Sequence, residues 1–467
     1  MSATVGYLQA YAEKTRWKPT LGSKDASKKA LLDTSWVDGL RGIAAVYVMF
    51  SHLTMAFARY IVRPADGEMG PQQWMQKPIL RLVGQGQAWV ACFIILSGFV
   101  NSLKAIKLAR QGNIDGALSN LAISSFRRSF RLFLPATAAT ILSWFICQFG
   151  AYETARQSDA YWLYITSPQP SYSWGTAIED LIRAVRNTWL FNPENVYDQP
   201  QWALLYLLEG SMVCFMAVLA TVNLTSRWRI STLVLCWFWS WNWGIRIGDP
   251  MVCPDIFMGI ILAELQHSDI PLSLSQFSPL FAPPMVLVAL VLMSFPSEFH
   301  TWAPWCKLLL EWFQKVAPTN AELSRFWPTI GAQLLIVTAT LSPHLRRALS
   351  HKYLLWLGKI SFPLYLLHGS FMRSLLSWLL FSRSKLVEME ERSGEQTYIV
   401  MRYALPSYLT FFIAAPIFFG ALFTAAHYWA NKIEPHFGVI TKRAEDLMFG
   451  KRERPLPLPT TKQERPD

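Results

Sequence analysis

At 467 residues, 52% hydrophobic and only 16% charged, with 21 Trp and 29 Phe, the chain is too apolar for a string of soluble domains, whose charged fraction is about 25%. Its net charge of +12 does not mark a nucleic-acid binder, because no basic patch is interleaved with stacking aromatics and excess Lys/Arg at a cytoplasmic membrane face accounts for it. The six cysteines (92, 147, 214, 236, 253 and 306) lie mostly in apolar segments without CxxC or Cys/His spacing, which argues against a disulfide framework and a zinc site, so no metal is expected.

The first apolar run begins only near Ile43, after a polar leader carrying Lys14, Arg16, Lys18, Lys24, Lys28 and Lys29. A cleavable signal would place its apolar core earlier, so residues 1–35 are expected to stay on the mature chain, in the cytosol. Apolar runs then recur at roughly 43–62, 88–104, 131–150, 202–222, 230–247, 251–266, 282–296, 329–342, 354–380 and 405–430. The expected fold is all-α, a polytopic membrane helical bundle of about ten transmembrane helices. Segments 105–130, 223–229 and 343–353 and the C-terminal tail are rich in Lys/Arg, whereas 63–87, 151–201, 297–328 and 381–404 mix acids with bases. That pattern puts both termini in the cytosol and leaves the sequon Asn223-Leu224-Thr225 unglycosylated. The bundle is expected over 36–433. Residues 434–467, ending in the Pro-rich, charged KRERPLPLPTTKQERPD, are expected to form a largely disordered cytosolic tail.

Within the first span, WVDGLRGIAAVYVMFSHL (36–53), Arg41 and His52 are eleven residues apart. On a helix that spacing sets them within about 20° of one face and about 16 Å apart along the axis. Ionisable groups at such depth are costly and mark function.

Four stretches together resemble the acyltransferase-3 family of integral-membrane acyltransferases, in a fungal-type stand-alone form: VDGLRGIAAVYVMFSH (37–52), WVACFIILSGFV (89–100), SSFRRSFRLFLPA (124–136) and LGKISFPLYLLHGSF (357–371). The first carries the family's Arg-x10-His as Arg41 and His52, and the third its Arg-x-x-Arg as Arg128 and Arg131. The resemblance spans about 36–430 and implies about ten helices and acyl transfer from acyl-CoA to a hydroxyl. The family's Trp followed five residues later by Glu, then Gly-Ser, is kept only in part: Trp202 and Gly210-Ser211 are present, but Leu207 holds the acid's position and Glu209 lies two residues on, on nearly the opposite helix face.

Acyl transfer to an alcohol needs a base for the hydroxyl proton, stabilisation of the oxyanion and a grip on the CoA phosphates. His52 is the candidate base, since imidazole titrates near physiological pH and a low-dielectric site favours its neutral form. It either activates the acceptor directly or carries the acyl group briefly. Arg41, at the cytosolic mouth, suits bidentate phosphate binding. Arg127, Arg128 and Arg131 begin the third helix, where Arg128 and Arg131, at i and i+3, converge on a phosphate or anchor the membrane face. Asp38 is read as a helix cap, or as lining the site. Ser97, before Gly98, is read as close helix packing or site lining rather than as a nucleophile, for it lacks a Gly-x-Ser-x-Gly elbow. His368 lines the site or makes a structural hydrogen bond.

The expected function is a membrane-bound O-acyltransferase using acyl-CoA, expected to be acetyl-CoA, as co-substrate, without a bound cofactor. Its acceptor is a small lipophilic alcohol of terpenoid or polyketide type, on resemblance alone. Neither nucleic acid nor an obligate protein partner is expected, and the endoplasmic reticulum is the default membrane. The rival class is a transporter or permease with a His/Arg pathway, against which stands the lack of an inverted repeat. The shifted acid also keeps a catalytically inactive member in view.

Overall fold

The computed structural model describes residues 33–190, 194–242, 251–268, 270–393 and 396–450. The leader lysines and the end of the 230–247 run lie outside the described residues. The longer helices are α1 (Ser35–Phe57), α2 (Gly86–Arg110), α3 (Ile114–Gln148), α4 (Trp174–Thr188), α5 (Trp202–Thr221), α6 (Ser226–Ser240) and α7 (Val252–Gln266). They continue with α8 (Ser278–Met293), α9 (Pro304–Val316), α10 (Leu323–Leu341), α11 (Pro343–Leu349), α12 (Lys352–Phe371), α13 (Tyr408–Tyr428) and α14 (Glu434–Met448). Between α12 and α13 stands a hairpin of β1 (Leu386–Ser393) and β2 (Gln396–Tyr403), antiparallel with Glu388 opposite Met401 and Glu390 opposite Ile399. The chain is therefore mostly helical rather than all-α. The backbone around Tyr403 bonds Gln157 and Asp159 at 2.8 and 2.9 Å, fixing the end of the hairpin.

The expected 36–433 domain divides into two interleaved compact units, one of residues up to Gln111 with Ala220–Phe362, the other of Gly112–Leu219 with Pro363 onward. In the first, α2 packs on α1, α7 and α10, α6 packs on α7, and α8 on α10. Its centre is α7, in which only Met258 and Leu265 are not buried. A helix buried all round is an interior helix, and its two buried acids have partners: Asp255 accepts from Gln333 Nε2 at 3.0 Å and Glu264 pairs with Arg110 at 2.9 Å. The α2–α7 crossing is close because both sides carry glycine: a Cβ on Gly259 would lie 2.3 Å from the Ile95 carbonyl oxygen, and one on Gly98 2.7 Å from that of Ile256. Ser97-Gly98 thus sits at a backbone contact, and the Ser97 hydroxyl accepts from Asn101 Nδ2 at 3.1 Å.

In the second unit α3 packs against α4 and α14. The expected tail is ordered over its first part. Residues 434–448 form α14, tied to α3 by a two-pronged Arg127–Glu445 pair (2.6 and 2.9 Å) and by the Phe126 and Phe449 rings, 5.4 Å apart. Residues 451–467 lie outside the described residues.

Among the described residues five helices are long and apolar enough to cross a membrane: Ser35–Phe57, Gly86–Arg110, Ile114–Gln148, Gln199–Thr221 and the Tyr408–Met448 run. The protein is a multi-pass membrane protein. The described residues of the other expected spans also fall on helices, but α6, α7 and α8 have 15, 15 and 16 residues. That gives about 22–24 Å against a hydrocarbon core of about 30 Å.

Candidate active site

In the first unit, α1 starts from Asp33, whose carboxylate accepts the Ser35 backbone N–H at 3.0 Å and its hydroxyl at 2.8 Å. Asp38, expected as the cap, instead pairs with Arg41 one turn on at 3.1 Å. The second Arg41 amino group donates to Ser361 Oγ at 3.3 Å, so Arg41 is held at a fixed place while staying partly exposed. The contact exists because the DGLRG and LGKIS stretches interlock: a Cβ on Gly42 would lie 2.6 Å from the Gly358 nitrogen, and one on Gly358 2.1 Å from the Asp38 carbonyl oxygen. Two of the family-like stretches, far apart in sequence, thus form one crossing.

His52 lies further along the unbroken α1, buried at 7% exposure. On a continuous helix the Arg41–His52 axial spacing is about 16 Å. Around His52 the helix is pinned by Thr54, which donates to the Val83 carbonyl at 3.3 Å, and by Tyr47 stacked on Trp89 at 4.4 Å.

The arginines of α3 differ from expectation. They do not begin the helix. Asn113 starts it, accepting the Gly116 N–H at 2.9 Å, so Arg128 stands fourteen residues beyond Ile114. Helix α5 runs antiparallel alongside, with Gln201 bonded to Ala136 and Thr140, Ser211 to Arg128, and Ser125 to Met212. The Arg128 Nε donates to Ser211 Oγ at 3.0 Å, and Ser211 donates on to the Leu207 carbonyl at 2.6 Å. Arg128 is therefore level with the middle of the apolar α5, next to Arg127 and its Glu445 partner on α14. Arg131 is exposed, and Arg127 is occupied by Glu445. The shifted acid, Glu209, has a buried Oε2 without a hydrogen-bond partner.

His368 on α12 is fully buried. Its Nδ1 lies 2.7 Å from the Tyr365 carbonyl and 3.3 Å from that of Leu364. Both neighbours accept, which assigns the proton to Nδ1 and leaves Nε2 as the basic nitrogen. Five residues past His368, Arg373 forms a buried pair with Asp198, 3.9 Å away, which no motif in the sequence singles out. Arg373 donates to the carbonyls of Gly369 (3.1 Å), Thr166 (3.0 Å) and Tyr197, and lies over the Tyr152 ring. Asp198 accepts from Gln201 Nε2 at 2.7 Å. A lone Arg inside the 354–380 run was the available signal; its partner 175 residues away was not. Arg373→Met leaves Asp198 buried without its counter-charge. It is expected to cost about 3–5 kcal/mol, with part recovered by adding Asp198→Asn. Thermal unfolding of the single and double variants in detergent checks this.

Among the described residues no group of three His, Cys, Asp or Glu side chains is placed to hold a metal ion.

A mostly helical chain with five helices long and apolar enough to cross a membrane among its described residues belongs to the class of multi-pass membrane proteins. Residues 34–425 match the acyltransferase-3 family model, described as an acyltransferase domain, and the chain belongs to that family. It is similar to the O-acetyltransferase PaAT-1 of Phomopsis amygdali, 26% identical over 77% of this chain and 76% of that protein. It is also similar to the acyltransferase clz18 of Cochliobolus lunatus, 23% identical over 74% of this chain and 85% of that one. The acyltransferase R4 of a Phoma species is 24% identical, with the same two coverages. No solved structure matches the chain.

Proposed function

We propose that the protein is an O-acyltransferase that moves an acyl group, acetyl in the first instance, from acyl-CoA to the hydroxyl of a small lipophilic acceptor of terpenoid or polyketide type. The observation that carries this reading is Arg128, a guanidinium hydrogen-bonded to Ser211 of the apolar α5 in a chain of the acyltransferase-3 family. Such a charge is expensive unless it serves a charged or polarised substrate.

In the first unit His52 is the base and Arg41 the group that meets the incoming anion. Arg41 is held by Asp38 and Ser361 and keeps part of its surface for a phosphate. In the second unit Arg128 and Arg131 take the donor, and Arg128 adds stabilisation of charge developing on the thioester oxygen. Ser97 and Asp38 support packing and position, and His368 lines the interior. The fold is read as about ten spans with both termini cytosolic, residues 1–35 as a cytosolic leader, 36–433 as the catalytic domain and 434–467 as a cytosolic extension in the endoplasmic reticulum membrane. Acyl-CoA and the acceptor are its partners. The acetyl group draws support from the similarity to PaAT-1, an O-acetyltransferase.

The test incubates membranes containing the protein with labelled acetyl-CoA and a panel of lipophilic alcohols. Ester formation with stoichiometric CoA release is expected. Arg128→Ala and Arg41→Ala should each lower kcat/KM for acetyl-CoA about 10–100-fold, the worth of one hydrogen bond to a charged group. Ester formation at full rate in both variants sinks the assigned donor residues. Accumulation of alcohol without CoA release points to transport instead.

A further inference from the structure

The second unit carries a cavity of about 840 Å³ between α3, α4 and α5, within the size range of small-molecule sites. Its walls include Phe130, Phe133 and Ile141 of α3, Ile182 and Val185 of α4, and Leu208 of α5. Trp189 closes one side, its ring 5.7 Å from that of Phe133. Among the described residues of the lining the polar ones are Ser129 and Arg186. The Ser129 hydroxyl donates back to the Ser125 carbonyl at 3.3 Å, and Arg186 is exposed, reaching Asn187 Oδ1 at 3.4 Å. Along α3 the cavity follows the helix from Ser129 to Ile141, about 18 Å.

These walls select by what they lack. The phosphates of a nucleotide would find a single, solvent-turned cation, and the many hydroxyls of a sugar would lie mostly against rings and aliphatic chains, with Ser129 and Arg186 as the polar side chains to meet them. A hydrocarbon body with one polar end fits both the apolar length and the single hydroxyl at its end. Ser129 follows Arg128 in the chain, so the polar end of the cavity adjoins the arginine pair assigned to the donor.

We infer that this cavity binds the hydrocarbon body of the acceptor alcohol, a branched or ring-containing terpenoid-class skeleton, with its hydroxyl end at Ser129. The inference rests on the transfer reading above and names its acceptor site.

The full-length protein in phosphatidylcholine nanodiscs is photolabelled with a diazirine derivative of farnesol, and the labelled peptides are mapped by mass spectrometry. Labelling within 129–141 and 181–190 is expected, competed by excess farnesol and reduced at least tenfold in Phe133→Trp and in Leu208→Phe, two independent ways of filling the space. Equal labelling of these peptides by a diazirine phosphatidylcholine, without competition by farnesol, would make the cavity a lipid crevice and overturn the inference. Acetylation of farnesol by acetyl-CoA with labelling only elsewhere overturns the cavity and leaves the transfer reading standing. Competed labelling in the cavity with no ester formed fails the transfer reading, and with it the assignment of the ligand as an acceptor.

Discussion

His52→Ala is expected to lower kcat for acyl transfer by about 10²–10⁴-fold, the contribution of a positioned general base, while the purified protein keeps its thermal midpoint close to wild type. The fold should survive because the segment around His52 is fixed by other groups: Thr54 on the Val83 carbonyl and Tyr47 on Trp89. The loss should fall on kcat more than on the KM for acetyl-CoA, since the donor is assigned to arginines and not to the imidazole. Rapid-quench labelling without acceptor separates the two roles open to His52. Label retained on wild-type protein and lost in His52→Ala identifies an acyl carrier, whereas no retained label with an intact acceptor-dependent rate identifies a base. Transfer at the wild-type rate by His52→Ala removes the residue from the chemistry altogether.

The second large effect is structural. Gly358→Ala should cost about 3 kcal/mol or more, because its new Cβ lands 2.1 Å from the Asp38 carbonyl oxygen, a backbone atom that cannot swing aside. Gly42→Ala meets backbone on the other side of the same crossing at 2.6 Å. Gly420→Ala is the comparison, since a Cβ there has nothing within 4 Å, and a helical Gly→Ala in open space is neutral or stabilising by about 0.5–1 kcal/mol. The crossing also sets the Arg41–Ser361 contact, so whatever Gly358→Ala protein folds should show a raised KM for acetyl-CoA. Thermal midpoints in detergent and a donor titration read both effects. A Gly358→Ala protein as stable as Gly420→Ala would mean that the helices part at no cost.

Much of this was legible in the sequence, and each miss has a physical reason. Helix α1 announced itself through a polar head, a long apolar stretch and the Arg41–His52 spacing. The position of the α3 arginines did not, because residues 114–130 are polar and hydropathy starts the helix near 131. Their helix is long because partners supply what the bilayer does not: Ser211 for Arg128 and Glu445 for Arg127. For the same reason the sequence of α14 reads as disordered tail, since Glu445 is 318 residues from Arg127. The hairpin showed period-two alternation, with Glu388 and Glu390 around Met389, but lay in a segment assigned to an outer loop.

Hydropathy is a property of each residue and its near neighbours. The sequence by itself therefore determined that the chain is a helical membrane protein, and its family-like stretches pointed to acyl transfer. Hydropathy does not distinguish lipid from protein as the medium that accepts an apolar surface. Only the tertiary structure decided that α7 is buried inside its unit while α13 turns most of its length outward. Only it decided that Asp38 serves Arg41 rather than the helix end, and that Asp198 and Arg373 form one buried pair. Such pairings depend on where the folded backbone carries residues remote in sequence, and no local propensity encodes that.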